Sequence, residues 1–404
     1  MHQVLEGIRV IEVAQYVFVP VAGVVLSEWG AETIKVEPPG AGDVYRGLRS
    51  TGPMSIEGSV NFAIEHANRG KRSIGLDLAS PEGREVLAEL VRSADVFLTN
   101  LLPDSRARLA IEVDDIRAIN PRIIYARGTG VGDRGEQRNR GGFDYATFWA
   151  RAGSAFGSTP TDAERPSPMP SGGYGDTTGG LALAGGIAAA LLARERTGEC
   201  PVVDISLLGL GMWAMGSAIA GSLAQDKVWT PMARVPATNA LAGTYRTSDG
   251  RWIALVCLQG FHQWPDFCRS VERPEWIEDE RFATYERFVE NTSASAAMLD
   301  ELFAAHPVSY WSEQLRLFSG VWEIVQDTLE VASDPQARAN GYISQLTTAD
   351  GTDFELVASP IQFDETPPSS QRAPEAGEQT EEILGELGFD WDRIADLKSK
   401  GVVS

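Results

Sequence analysis

The sequence predicts an α/β fold: an open parallel sheet followed by a smaller α+β domain. Three observations carry this. Residues 4–36 read strand, helix, strand, the unit that builds parallel sheets through right-handed crossovers. Short apolar strands and helices then alternate as far as residue 126, as in a doubly wound sheet. Beyond residue 243 the alternation stops, and hairpins and short helices take over.

Taken in order, residues 4–13 (VLEGIRVIEV) read as the first strand, with an apolar run at 8–13 interrupted by charges. Residues 20–30 read as a helix closed by Gly30, and 31–36 (AETIKV) as a second strand, broken by Glu37-Pro38-Pro39-Gly40. Residues 73–78 are extended. Residues 81–93 are helical, with Pro81 in the first turn and Glu82 and Glu85 near the positive end. A buried strand at 95–99, a helix at 113–119 and a strand at 122–126 (RIIYA) follow. The polar, glycine-rich residues 128–142 form a loop, 143–153 a helix, and 158–173, with four prolines, an irregular connector. Residues 171–180 (SGGYGDTTGG) read as a flexible loop before a buried helix at 181–194, which Arg194, Arg196 and Gly198 stop. A strand at 202–207 and a linker at 225–242 come next. Residues 243–258 form a hairpin turning at Ser248-Asp249-Gly250, with helices near 260–271, 278–289, 294–305 and 308–318. A second hairpin turns at Asp350-Gly351. Residues 366–379 are a solvated Pro/Glu/Ser-rich stretch, and 380–399 a helical pair. The domain reading is 1–224, 225–335 and 336–404.

Composition narrows the function. A chain of 404 residues, 43% hydrophobic, suits two or three domains. Its net charge of −21 argues against nucleic-acid binding, yet leaves room for a phosphorylated ligand in a local basic pocket. The three cysteines, Cys200, Cys257 and Cys268, suggest neither a disulfide framework nor a zinc site, and fit reduced thiols in the cytoplasm. Residues 1–6 lack the basic and apolar segments of a signal peptide. The uncharged run 207–224 approaches membrane-spanning length, but Gly209, Gly211, Gly216 and Gly221 make it a closely packed internal helix, so no membrane is expected. The histidines (His2, His66, His262, His306) are scattered and make no metal cluster; His66 reads as structural. Gly128-Thr129-Gly130 and Gly209-Leu210-Gly211 mimic dinucleotide fingerprints but lack the strand-to-helix context.

Two groups of residues carry chemistry. Asp176 sits where a helix N-cap belongs, held by free N–H groups, with glycines on either side that let a ligand approach. It is a plain cap or a carboxylate nucleophile facing an activated acyl group. The cations Arg69, Lys71 and Arg72 lie in a turn before one strand, and Arg106 and Arg108 lie beyond Asn100 at the end of another. Loops at strand ends are where such sheets bind ligands, and cations there suit phosphates; ordinary surface cations are the plainer reading.

Ordered segments along most of the chain resemble the class III coenzyme A transferase family, also called CaiB–BaiF. They include LEGIRVIE at 5–12, Pro20, GAETIKVEPPGAGD at 30–43 with Arg46, and residues 68–78. Ala94 to Asn100, NPRIIY at 120–125, Gly173-Tyr174-Gly175-Asp176, Arg196-Thr197-Gly198 and Asp249-Gly250-Arg251-Trp252 continue the series. The resemblance implies a Rossmann-like large domain built from both ends of the chain, an inserted small domain, and a homodimer of interlocked chains. It implies acyl-CoA and carboxylic acid substrates and no tightly bound cofactor. Asp176 falls on the family's catalytic aspartate. Lys71, Arg72, Asn100, Arg106 and Arg108 fall in the segments that hold the CoA nucleotide and phosphates, Gln15 and Tyr16 fall beside the thioester, and Asp144 falls where some transferases carry an acid. The related racemases carry a histidine in the segment held here by Gly142-Phe143-Asp144 and a glutamate in that held by Leu258-Gln259-Gly260. Phenylalanine moves no proton, so CoA transfer is the reading; an α-methylacyl-CoA racemase and a non-catalytic acyl-CoA-binding protein are the alternatives. The glycine-rich flap of formyl-CoA transferase is not evident, so oxalate and formate are not expected substrates.

Overall fold

In the computed structural model, which describes residues 3–56, 58–231 and 233–404, the alternation of strands and helices becomes a six-stranded parallel sheet. Met1, His2, Glu57 and Met232 lie outside the described residues. The strands are β1 (Arg9–Val13), β2 (Glu32–Glu37), β3 (Arg72–Gly75), β4 (Val96–Thr99), β5 (Ile124–Thr129) and β6 (Val203–Ser206), in the order β3-β2-β1-β4-β5-β6. β1 has β2 on one side and β4 on the other, with Val10 opposite both Thr33 and Val96. The chain therefore reverses its direction of travel across the sheet at β1. Beyond the carboxyl ends of β1 and β4 lies the crevice where such sheets hold ligands.

Alternate residues face opposite layers, and both layers are covered. Val10, Val96, Leu98 and Ile124 pack against α1 (Phe18–Glu28) and a 24-residue helix, Tyr174–Thr197. Ile11, Ile34, Phe97 and Tyr125 pack against the helix Pro81–Arg92 and the C-terminal helices Thr380–Glu386 and Trp391–Ser399. The last residues close on the sheet as well: Asp77 N–H donates to Val402 O at 2.8 Å. By contacts, the first compact unit is Met1–Phe156, Pro168–Trp229 and Pro335–Ser404; the second is Gly157–Ser167 and Thr230–Asp334. The second unit holds a three-stranded antiparallel sheet, Thr244–Arg246, Trp252–Leu255 and Trp322–Ile324, over an aromatic core of Tyr245, Trp264, Phe267, Phe303 and Trp311. Its third strand is not evident in the sequence.

Three local expectations are corrected. The first strand begins at Arg9 rather than Val4, because Gly7 turns the chain at φ +83°. The helix expected at 181–194 starts at Tyr174, so most of the supposed flexible loop at 171–180 is helical. Its glycines serve packing rather than ligand access. A methyl on Gly180 would lie 2.8 Å from Phe18 O and Val21 Cβ, and one on Gly175 would lie 2.6 Å from the Phe148 ring. The uncharged run after β6 is two helices, Leu207–Ala214 and Gly216–Gln225, bent by 72°.

Candidate active site

The crevice is framed by a clasp between two strand ends. After β1 the chain turns at Gln15 and Tyr16, and Tyr16 adopts φ +64°, a conformation a bulky residue keeps only when its surroundings hold it. They do so here from two sides. Asn100, just past β4, accepts from Gln15 N–H at 3.0 Å and donates to Gln15 O at 2.7 Å. Asp43 Oδ1 accepts from Tyr16 N–H at 3.3 Å and Tyr45 N–H at 2.9 Å. Beneath the clasp runs a buried ion network: Lys35 Nζ meets Glu12 and Asp43, each at 3.0 Å, and Lys71 Nζ meets Glu12 at 2.8 Å.

Asp176 opens into a cleft of about 320 Å³ whose walls include Gln15, Tyr16, Asn100 and Phe143. It is 8% exposed, and its carboxylate accepts no hydrogen bond from the described residues. Contrary to expectation it is not the helix cap. Gly173, at φ +78°, occupies that place, and Asp176 is the third helical residue. Nor do the helix-end N–H groups hold it. Asp144 faces the amides of Gly173, Gly175 and Asp176, while its Oδ1 accepts Tyr145 N–H at 2.7 Å at the start of a π-helical turn, Tyr145–Arg151. Its Oδ2 is buried without a hydrogen-bond partner among the described residues. Burial pushes Asp144 above the usual carboxylate range, against the pull of those amides. Burial, and then the neighbouring Asp144, push Asp176 up to about 7. A carboxylate so placed is poorly solvated and, once ionised, reactive.

Sequence reasoning missed Tyr45. Burial, followed by the carboxylates Asp176, Asp43 and Asp144, pushes its phenol up to about 12, so it remains a neutral hydroxyl donor next to the acids. Its ring lies 6.0 Å from that of Tyr16, which in turn meets Phe143 edge-on at 5.3 Å. Of the other aromatics nearby, Phe18, Phe148 and Trp149 are buried in the core, whereas Tyr145 is exposed. His66 is half-buried, its Nε2 3.0 Å from Thr177 Oγ1 on the Asp176 helix; desolvation of the ring lowers it to about 4.

Three of the expected phosphate ligands are engaged within the protein itself. Lys71 has no exposed side-chain surface; besides Glu12 it donates to Pro20 O, Ala67 O and Asn68 Oδ1 at 2.8–3.1 Å. Burial, only partly offset by Glu12, lowers it to about 8. Arg106 is equally buried, paired with Glu112 at 3.2 Å and Asp133 at 2.7 Å. Arg72 is already matched by Glu32, Glu382 and Glu386. Arg108 differs. It is exposed, its guanidinium 3.4 Å from Ser105 Oγ, and no carboxylate among the described residues pairs with it. A second hollow, of about 190 Å³, lies between the ends of β1, β2 and β3 and includes Val13, Val36, Leu76 and Leu78; it shares Gln15 and Leu101 with the Asp176 cleft.

The model of CoA-transferase family III matches residues 5–380. The chain belongs to that family. It is 31% identical to the (R)-2-hydroxy-4-methylpentanoate CoA-transferase of Clostridioides difficile, over 99% of each chain. It is 28% identical to the cinnamoyl-CoA:phenyllactate CoA-transferase of Clostridium sporogenes, over 97% of this chain and 95% of that one. Among solved structures, a CAIB/BAIF family protein from Brucella suis superposes with a TM-score of 0.82 at 28% identity, covering 95% of this chain and 99% of the other. As a member of CoA-transferase family III the protein is an enzyme, and CoA thioesters are the family's substrates.

Proposed function

We propose that this enzyme moves coenzyme A from an acyl-CoA to a carboxylic acid by way of Asp176. The supporting observation is a buried carboxylate without a hydrogen-bonding partner among the described residues, opening on a cleft at the switch point. An Asp176 oxygen attacks the thioester carbonyl, the C–S bond breaks, and CoA leaves as thiolate from a mixed anhydride. The thiolate then attacks the Asp176 carbonyl of that anhydride, the donor acid departs as carboxylate, and an aspartyl-CoA thioester remains. The acceptor carboxylate repeats the sequence in reverse and restores Asp176. No proton is gained or lost, and one difficult exchange becomes several easier ones. Gln15, fixed by the Asn100 clasp, and Tyr45 supply donors for the developing oxyanions. Asp144 acts as a positioning residue at the helix start. The apolar hollow suits the adenine ring, and Arg108 the phosphates.

Mass spectrometry of enzyme quenched during turnover should find CoA on the peptide carrying Asp176, and hydroxylamine should convert that residue to the hydroxamate. Turnover without either product would remove Asp176 from the covalent role. Exchange of the α-hydrogen for deuterium without CoA exchange would instead identify a racemase. Since the nucleophile must be ionised, kcat/KM should rise with pH to a plateau above about 7; Asp144→Asn, which removes the neighbouring charge, should move that limb to lower pH.

We also propose that the enzyme works as a homodimer of interlocked chains. Trp213 and Leu223, on the bent helix pair, are 84% and 79% exposed, an apolar surface that a second copy would cover. Light scattering should return twice the chain mass; a monomer at micromolar concentration would exclude it.

A further inference from the structure

We infer that the acyl group handled at Asp176 is uncharged and apolar beyond its carboxyl carbon, and bulky enough to rest on an aromatic wall. This deepens the transfer reading and rests on it. Tyr16 and Phe143 both line the Asp176 cleft, and their rings meet edge-on at 5.3 Å. Phe143 is nonetheless 61% exposed, an unusual state for a phenylalanine fixed against another ring. Its exposure is not laxity of the loop. A methyl on the preceding Gly142 would lie 2.6 Å from Thr147 Oγ1 and 2.9 Å from Gly130 Cα, so the segment is seated directly on the backbone after β5. The cleft is also lined by Leu101, Leu102 and Leu207. An apolar surface held open in this way is matched by an apolar group on the ligand.

Charge selects in the same direction. Asp176 is the titratable acid among the described residues in the wall of the cleft, and burial, with Asp144 beside it, already disfavours negative charge there. No cationic side chain is among the described residues that line it. A second carboxylate on the acyl chain would bring a further negative charge into a poorly solvated acidic corner, where like charges repel far more strongly than in water. Dicarboxylic donors are therefore selected against, and branched or arylalkyl monocarboxylic donors are favoured.

The test compares four donors, 3-phenylpropanoyl-CoA, 4-methylpentanoyl-CoA, acetyl-CoA and succinyl-CoA, with the wild-type enzyme, Phe143→Ala and Phe143→Leu. Two signals are read: CoA exchange, and CoA label on Asp176. The first two donors should exceed succinyl-CoA in kcat/KM by about a hundredfold and acetyl-CoA by about tenfold. Phe143→Ala should lower the phenylpropanoyl value about tenfold and change the acetyl value by less than about twofold, and Phe143→Leu should restore the methylpentanoyl value. Because Phe143 is exposed, folding should be spared. Succinyl-CoA turnover equal to that of the apolar donors, or an equal loss for all donors in Phe143→Ala, overturns the inference while Asp176 still becomes labelled. Exchange without label on Asp176 overturns the transfer reading instead, and the donor ranking still reports on the wall.

Discussion

Asp176→Asn should lose CoA transfer by at least about 10⁴-fold in kcat, the scale of removing a nucleophile, and should at the same time become more stable than the wild type at alkaline pH. The first half follows from chemistry, since an amide nitrogen does not open a thioester under these conditions. The second follows from linkage. Burial and Asp144 hold the folded Asp176 near 7, whereas the unfolded group titrates near the ordinary aspartate value of 3.8. Between those values the folded protein keeps a proton that the unfolded chain releases, so wild-type stability falls as pH rises from about 4 to about 7. An asparagine has nothing to titrate. At pH 8 the variant should gain up to roughly 4 kcal/mol, and near pH 4 almost nothing. Calorimetry at the two pH values, beside a transfer assay, separates a catalytic from a structural part. A plain structural carboxylate would give the variant lower stability at both pH values and preserved turnover.

How far the sequence led depends on whether a residue's role is decided by its neighbours along the chain or by partners far away in it. The strands β1 and β2 and the helix between them were legible because apolar runs and Gly30 act locally. Asp176 stood out for its setting of glycines, but the reason for the glycines was hidden. By propensity they argue against helix; the helix forms because Phe18, Val21 and Phe148 come so close that side chains would collide. Lys71 and Arg108 look alike as letters. Only the fold shows that one is sealed under the sheet with Glu12, which is 59 residues away, and the other faces solvent. A hint was present in Glu12 and Lys35, charges set among apolar strand residues, where a buried ion pair is the usual explanation. Tyr45 carried no such hint, since its meaning comes from a helix that begins far along the chain.

The buried pair gives the second large effect. Lys71→Met should lower the stability of the first unit by about 3–5 kcal/mol, because it leaves Glu12 with one cation in place of two and strands the carbonyls of Pro20 and Ala67. Arg72→Met, one residue on, should cost less than about 1 kcal/mol, as its partners Glu382 and Glu386 are solvated and such pairs contribute little. If Lys71 instead gripped a CoA phosphate, the pattern would invert: stability would hold, and the KM for acyl-CoA would rise. Urea unfolding and a KM measurement on both variants therefore decide between a cation that supports the Gln15–Tyr16 clasp from below and one that meets the substrate. Adding Glu12→Gln to Lys71→Met supplies the internal check. Removing the excess negative charge should return part of the loss, and a double variant no more stable than the single one would show that the cost lies in the stranded carbonyls rather than in the under-compensated carboxylate.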